Sequence, residues 1–173
     1  MKKHVLVLIG ILGFSFANSQ TIKDLDFLIG SWEVTETVFP GTEKEYEEKG
    51  TRNCEYYLNG SFIKCESSTV VSKSGKERKY VYLINYDEKE KWYWVTSLAH
   101  DFPLHGQHKW FLFPEKKMIH AISPVNVIPD KFFRGTISYK NPNRLVWEGW
   151  SSKYDREKEW RQIFSDVAVR TKQ

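Results

Sequence analysis

The chain contains none of the short motifs that commonly carry catalytic chemistry. It has no Gly-x-Ser-x-Gly nucleophile elbow, no glycine-rich loop to cradle a phosphate, and no His-Glu-x-x-His pair. It also lacks a stripe of lysine and arginine, and its formal net charge of +4 over 173 residues is small, so nucleic acid is not an expected partner. Internal repeats and low-complexity linkers are missing too, which favours one domain.

No apolar run reaches the roughly 20 residues that a membrane-spanning helix needs. The run Val5–Phe16 follows a charged start, and Ala17-Asn18-Ser19 after it places small residues where a signal peptidase reads them. Residues 1–19 are therefore predicted to be a signal peptide, with cleavage before Gln20. The mature domain, residues 20–173, is expected in the periplasm or outside the cell, without stable membrane insertion.

Aromatic residues are abundant at 16% of the chain, with seven Trp and nine Tyr, and they suit pleated sheets better than helices. A capping-box pattern at Thr21–Asp24, followed by apolar residues at helical spacing and then Gly30, predicts one short helix over residues 21–29. Ten strand-like segments follow, separated by turn residues. They predict an all-β, up-and-down antiparallel barrel of about ten strands, because closure removes exposed sheet edges. The predicted strands are Trp32–Val38, Lys49–Leu58, Ser61–Val71, Tyr80–Tyr86, Lys91–Ala99, His108–Phe113, Lys117–Ile122, Phe132–Tyr139, Arg144–Ser151 and Glu157–Ala168.

The chain has only two cysteines, Cys54 and Cys65. Asn59-Gly60 is the favoured dipeptide of a two-residue type I′ turn, and counting outward from it places the two cysteines opposite each other on one face. An exported protein meets an oxidising compartment, so this register predicts a disulfide bond. The same count makes the pair a hydrogen-bonded one, with a Cα separation of about 5.5 Å. Two small buried hydrophobic side chains are the alternative.

The segment Leu25-Asp26-Phe27-Leu28-Ile29-Gly30-Ser31-Trp32-Glu33 resembles the opening of the lipocalin-like barrels. More closely, it resembles calycin-type bacterial families of unknown function. Leu58–Ile63 and Leu83–Asp87 are similar to the same group. The resemblance implies a lipocalin-like barrel over most of residues 21–170, in which the short N-terminal helix plugs one end.

The resemblance also implies roles for individual residues. Gly30 and Trp32 belong to the Gly-x-Trp that begins the first strand, and Trp32 should pack at the closed end beside a late basic residue, either Arg161 or Arg170. Nitrobindin, a related barrel, holds haem through a histidine late in its chain. The last histidine here is His120, so that ligand is not carried over and no cofactor is expected.

Two groups of polar residues are candidates for chemistry. The segment His100–His108 brings three histidines and one aspartate into nine residues. Zinc could use three such ligands, but the spacing matches no known metal signature; a polar loop at the barrel mouth and a pH-sensitive contact are the alternatives, and no metal site is predicted. Glu36 and Glu148 alternate with apolar neighbours. If either points inward, it needs a partner such as Arg134 or Arg161.

Aromatic side chains indicate where a ligand would bind. Trp94 and Trp110 are predicted as walls of an apolar pocket, although plain core packing would use the same residues. The helix blocks the end where the first strand begins, so connectors after odd-numbered strands should lie at the open mouth. The histidine segment and the proline-stiffened loop near Ile122–Lys131 both fall there. We therefore expect His100, Phe102 and His105 as rim contacts.

Together these features predict a secreted lipocalin-like protein that binds or carries a small apolar or amphipathic molecule without catalysis. Two alternatives stay open: a filled barrel that serves as a protein-interaction or cell-envelope module, and an enzyme that uses the His100–His108 segment with an inward glutamate. A cavity above roughly 300 Å³ would favour a carrier over a filled barrel. A histidine within hydrogen-bond reach of a carboxylate inside it would favour the enzyme. The oligomeric state is left open.

Overall fold

The computed structural model describes residues 20–100, 102–123, 131–153 and 159–171, with the side chains of residues 102–105 outside this set. The chain forms a closed barrel of ten antiparallel strands, in which consecutive strands pair and the first strand also pairs with the last. The predicted up-and-down barrel is therefore confirmed. Its strands are β1 Gly30–Val38, β2 Tyr46–Tyr57, β3 Phe62–Val71, β4 Glu77–Asp87, β5 Trp92–Ala99, β6 Phe102–Phe113, β7 Met118–Ile122, β8 Phe132–Asn141, β9 Arg144–Ser152 and β10 Arg161–Arg170.

The predicted helix is present as a 3-10 helix over Ile22–Leu28, and a second 3-10 turn, Pro114–Lys116, joins β6 to β7. The Thr21 side chain accepts from the backbone and Asp24 reaches back to the cap, so the capping box is formed. Leu25 and Leu28 are buried against the barrel. No helix in the described part of the chain is long and apolar enough to cross a membrane.

Trp32 lies under this helix at the start of β1 and is fully buried. Its indole Nε1–H donates to the Leu28 carbonyl at 2.9 Å. The guanidinium of Arg170 lies 4.1 Å from the centre of the Trp32 ring, and it donates to the carbonyls of Ile29 at 2.6 Å and Phe27 at 3.1 Å. Arg170 is therefore the basic residue at the closed end, whereas Arg161 begins β10 at the opposite end.

The β2–β3 hairpin has the predicted register, with Cys54 opposite Cys65, and the two residues form a disulfide. Their Cα atoms are 4.0 Å apart, which is shorter than the expected hydrogen-bonded spacing. The turn is longer than predicted, because Leu58 also has a positive φ of 48° and the ladder begins at Tyr57 and Phe62. Counting from that first pair makes the cysteines a non-hydrogen-bonded pair, whose Cα atoms lie close together.

One strand differs clearly from the prediction. Strand β6 begins at Phe102, six residues earlier than expected, so residues 102–108 of the histidine segment lie in this strand instead of forming a loop. Phe102, Gly106, Gln107 and His108 pair with β5, with an irregular register between Ser97 and Ala99.

The barrel interior has two chemically different halves. Near the helix it is apolar, with Leu25, Ile63, Ile84 and Ile119 all fully buried. The half farther from the helix holds most of the buried polar groups, and those that concern the site are Glu48, Arg52, Ser67, Thr69, His108 and Asp166. The described residues of the connectors after β1, β3 and β5 lie at that second end; residues 124–130 of the proline-stiffened loop, and residues 154–158, are outside the described set.

Candidate functional site

A cavity of about 260 Å³ lies inside the half of the barrel away from the helix. Its wall is mostly aromatic and apolar, and includes Tyr80, Tyr82, Phe133, Trp147, Ile163 and Phe164. Its polar lining consists of Glu36, Arg78, Ser97, His108 and Asp166. A largely apolar wall with a few convergent polar groups is typical of a small-molecule site.

Trp147 is the centre of the aromatic wall. Its ring makes edge-on contacts with Trp110, Tyr82 and Phe164, with centroid distances of 5.8, 5.5 and 5.4 Å. Phe164 can reach this position because Gly149 faces it: a Cβ on Gly149 would stand 2.2 Å from the Phe164 ring. The rings thereby form a continuous surface, in the edge-to-face geometry that aromatic quadrupoles favour.

Three acidic side chains stand side by side at the floor of this cavity, and two of them, Glu36 and Asp166, line it. Glu36 on β1 pairs in register with Asp166 on β10 and with Glu48 on β2. Directly opposed residues on neighbouring strands have Cβ atoms about 4.5–5.5 Å apart. The closure of β1 onto β10 therefore creates a row of three acidic side chains from distant parts of the sequence.

The carboxylate at one end of the row, Asp166, is paired with Arg52. The Arg52 guanidinium donates to Asp166, and its Nε–H donates to the Ser67 hydroxyl at 2.9 Å. Asp166 is 2% exposed and Arg52 is 9% exposed. Burial of two charges is tolerated here because they face each other and have further hydrogen bonds.

The carboxylate at the other end, Glu48, has its own partners. Arg78 Nη1 donates to Glu48 Oε1 at 2.5 Å, and the Thr69 hydroxyl donates to Oε2 at 2.7 Å. Arg78 also donates to the Tyr46 hydroxyl at 3.3 Å. Each outer carboxylate of the row thus has one arginine.

Glu36, in the middle of the row, has no hydrogen bond or ion pair within the described residues. Burial raises the pKa of its carboxyl to about 8, and the nearby carboxylates of Asp166 and Glu48 raise it further than Arg52 and Arg78 lower it. At pH 7 the carboxyl is therefore mostly protonated. Of the two glutamates considered from the sequence, Glu36 is the inward one.

The prediction of Arg134 or Arg161 as the partner of an inward glutamate was wrong. Arg134 stacks over the Trp160 ring, 4.5 Å from its centre, and Arg161 is exposed. Glu148 alternates with the buried Trp147 and faces outward, where it accepts from Gln162 Nε2 at 3.2 Å.

His108 faces the cavity from β6, with hydroxyls at both ring nitrogens. Ser97 Oγ lies 3.2 Å from Nε2 and Ser123 Oγ lies 2.9 Å from Nδ1. Burial lowers the pKa of His108 to about 4, so the ring is neutral at pH 7. A histidine bonded to a carboxylate would favour the enzyme hypothesis; His108, by contrast, has hydroxyl partners. Within the described ranges, no group of three His, Cys, Asp or Glu side chains could hold a metal.

The structure separates the two tryptophans predicted as walls. Trp110 is buried inside the barrel and contacts Trp147, but it lines a void of about 20 Å³ near the disulfide instead of the main cavity. Trp94 is on the outer face, contrary to our expectation, where its Nε1–H donates to Asp87 at 3.3 Å. Its neighbours Tyr93 and Val95 take the interior positions of β5.

The predicted rim residues lie at or near the open end. His100 is exposed on the connector after β5, and its backbone N–H donates to the Lys79 carbonyl at 3.0 Å. Phe102 and His105 belong to the backbone of β6, and their side chains are outside the described residues. Their role as ligand contacts stays a prediction.

Sequence reasoning missed most of the lining residues, although a signal for them exists. Charged residues interrupt the apolar faces of three strands that become neighbours: Glu36 on β1, Glu48 and Arg52 on β2, and Asp166 on β10. One such interruption is common in an exposed strand. Several of opposite sign on adjacent strands indicate an internal charged network.

The sequence matches no protein-family model and no curated protein. Its fold is similar to that of the S-type phycobiliprotein lyase CPES from Guillardia theta, with a TM-score of 0.61 and 10% identity over 89% of this chain and 94% of that one. It is also similar to Rv2717c from M. tuberculosis, with a TM-score of 0.59 and 10% identity over 87% of this chain and 97% of that one. At such identities the likeness concerns the fold alone. The chain is a closed antiparallel barrel of ten strands whose fold is similar to that of these two proteins.

Proposed function

We propose that this barrel binds a small apolar or amphipathic molecule in the aromatic cavity, without catalysis. The observation that carries the proposal is a cavity of about 260 Å³ with a mostly apolar wall and a few polar groups on its floor. This volume falls short of the roughly 300 Å³ that would favour a carrier over a filled barrel, but it exceeds the ~150 Å³ of a cavity that takes benzene. The ligand that fits is therefore small, with one or two rings.

A probe of matching size tests the proposal. We expect 2-phenylethanol to bind with an affinity of about millimolar, the range open to a ligand with so few atoms. In a nitrogen-15 NMR titration, the indole N–H signal of Trp147 should shift saturably. Ser97→Phe, which fills the cavity from β5, should abolish that shift. Thr96→Phe adds the same ring to the outer face of the same strand and should bind like the parent.

Two results would contradict the proposal. One is a parent protein whose Trp147 signal does not saturate, and the other is an equal shift in parent and Ser97→Phe. Either result would leave a filled barrel with an interaction or envelope role as the better hypothesis. Native mass spectrometry of protein purified from its own source would then show whether any small molecule is retained.

We also propose that the chain belongs to the calycin-type bacterial families of unknown function. The short motifs around Gly30 and Trp32 support this. So does the packing of Arg170 over Trp32 at the closed end, which has the arrangement that the resemblance implied.

Export is the remaining proposal, and the Cys54–Cys65 disulfide supports it, because such bonds persist in oxidising compartments. The full chain produced in a bacterium with a periplasm should yield a mature protein that begins at Gln20 and has no free thiol. N-terminal sequencing and thiol labelling measure both properties. A chain that starts at Met1, or two reactive thiols in periplasmic material, would contradict export or the bond, respectively.

A further inference from the structure

We infer that the cavity selects a cationic ligand: a small apolar amine whose ammonium group takes the place of the proton on Glu36. The inference deepens the proposed function and rests on it. Its starting point is the position of Glu36, the middle carboxyl of a row of three, which lines the cavity and has no partner within the described residues.

The charge balance of the floor favours a cation. Three carboxyl groups, those of Glu36, Glu48 and Asp166, stand beside two guanidiniums. Arg52 is engaged by Asp166, and Arg78 by Glu48. Among the described residues, one positive charge fewer than negative charge remains when Glu36 is ionised, and a proton on Glu36 restores the balance in the protein without ligand. A monovalent ammonium group would supply it in the complex.

The same arrangement disfavours an anion. A ligand carboxylate or phosphate in this cavity would face a row of three acidic side chains, and both arginines of the floor already pair with acids. Placing like charges together in a buried site is costly. A neutral ligand would exchange only hydrogen bonds with the protonated Glu36, whose O–H donates and whose carbonyl oxygen accepts.

The wall above the floor also suits an ammonium group. Tyr80 and Tyr82 are on β4, beside Arg78, and Trp147 contacts the Tyr82 ring edge-on. Aromatic faces attract cations, most strongly where water is excluded. The apolar part of an amine would contact Phe133 and Phe164, whose rings are stacked with centroids 6.2 Å apart.

Ligand binding would then compete with a proton. The groups that face Glu36 are Asp166 on β10, Tyr46, Glu48 and Arg52 on β2, Arg78, Tyr80 and Tyr82 on β4, and His108 on β6. Burial raises the pKa of the three tyrosines above their ordinary value and lowers that of His108 to about 4. None of these four groups changes charge between about pH 6 and pH 9, whereas Glu36 does.

Three probes of nearly equal size separate charge from shape: 2-phenylethylamine, which is a cation, 2-phenylethanol, which is neutral, and phenylacetate, which is an anion. At about pH 8.5, isothermal titration calorimetry should show the amine bound about tenfold or more tighter than the alcohol, and phenylacetate should not bind. Lowering the pH to about 6 should weaken amine binding by at least about tenfold, because proton competition approaches tenfold per pH unit below the pKa of about 8. The alcohol should bind alike at both pH values.

Two variants assign the effect to one carboxyl. Glu36→Gln should bind the amine no more tightly than the alcohol, at both pH values. Glu33→Gln removes an exposed carboxylate from the outer face of the same strand and should behave like the parent. Thermal melting of each variant verifies that it is folded.

The outcomes distinguish this inference from the proposed function. Equal affinities for amine and alcohol in the parent would overturn the cationic specificity and leave a binding cavity. A preference for the amine that persists in Glu36→Gln would also overturn it, since another group would then hold the cation. Failure of all three probes to bind would overturn both proposals.

Discussion

Replacement of Glu36 by glutamine is expected to stabilise the protein in alkaline solution, by on the order of 4 kcal/mol in the free energy of unfolding at about pH 9. The reason is that the parent must ionise a half-buried carboxyl inside the cavity that has no partner within the described residues. Its pKa is about 8 in the folded protein against an ordinary value of 4.5. Glutamine has nearly the same shape and no charge, so this cost disappears.

The pH dependence identifies the cause. Since the folded state of the parent binds the Glu36 proton more tightly than the unfolded state, the associated stability is fully present below about pH 4.5 and is lost as the pH rises through 8. Urea denaturation, followed by tryptophan fluorescence, should therefore give a growing advantage of Glu36→Gln over the parent from about pH 5 to pH 9. A constant difference across this range, or the same behaviour in Glu33→Gln, would contradict the assignment.

His108 has the opposite influence. Burial lowers its pKa from 6.5 to about 4, so the folded state resists the proton that the unfolded state accepts, and stability is lost as the pH falls through that range. In the parent this loss offsets the gain from Glu36 below about pH 6.5. In Glu36→Gln the gain from Glu36 is absent, so the loss of stability caused by His108 below about pH 6.5 should be seen in full.

An unpaired carboxyl inside a barrel is a stability cost that plain packing would avoid. The neighbouring acids show how the same interior stabilises a structural charge. Asp166 accepts from Arg52, which also donates to the Ser67 hydroxyl. Glu48 accepts from Arg78 and from the Thr69 hydroxyl. Perturbed and uncompensated groups in cavities concentrate at functional sites. This contrast within one row of residues is the physical reason for placing the ligand at Glu36.

Much of the fold could be predicted from the sequence because its signals are local. The capping box at Thr21, the Asn59-Gly60 turn and the register that joins Cys54 to Cys65 each depend on fewer than about a dozen neighbouring residues. The number of strands followed from turn residues. The early start of β6 was missed because it depends on pairing with β5, which the polar residues of the histidine segment do not indicate locally.

The site was predicted less well because it depends on how the barrel closes and on which face of each strand points into the interior. Arg52 and Asp166 meet across 114 residues of sequence, and only the pairing of β1 with β10 brings them together. On β5 both faces carry large apolar side chains, so alternation could not decide between Trp94 and Tyr93. The exterior of this barrel is itself aromatic, with Lys109 lying 3.7 Å from the ring centre of Trp92.

At the closed end, Trp32→Ala is expected to lower the free energy of unfolding by about 3–5 kcal/mol, the usual cost of truncating a buried tryptophan. Trp32 is fully buried, its indole N–H holds the Leu28 carbonyl, and its ring supports Arg170. Truncation would leave a void under the helix, since the disulfide and the strand ladder prevent the barrel wall from collapsing into it.

A graded series separates the contributions of Trp32. Trp32→Phe keeps most of the ring and loses the bond to Leu28, so it should cost only about 1–3 kcal/mol. Arg170→Ala loses the donors to the carbonyls of Phe27 and Ile29, and its cost in the free energy of unfolding should also be smaller than that of Trp32→Ala. Because Trp32 does not line the main cavity, each variant that remains folded should bind 2-phenylethanol with the parental affinity.

Urea denaturation measures the stability of each variant, and the NMR titration measures its affinity independently. A Trp32→Ala protein that melts within a degree or two of the parent would show that the helix does not seal this end, and a loss of affinity at full stability would extend the binding site to the closed half of the barrel.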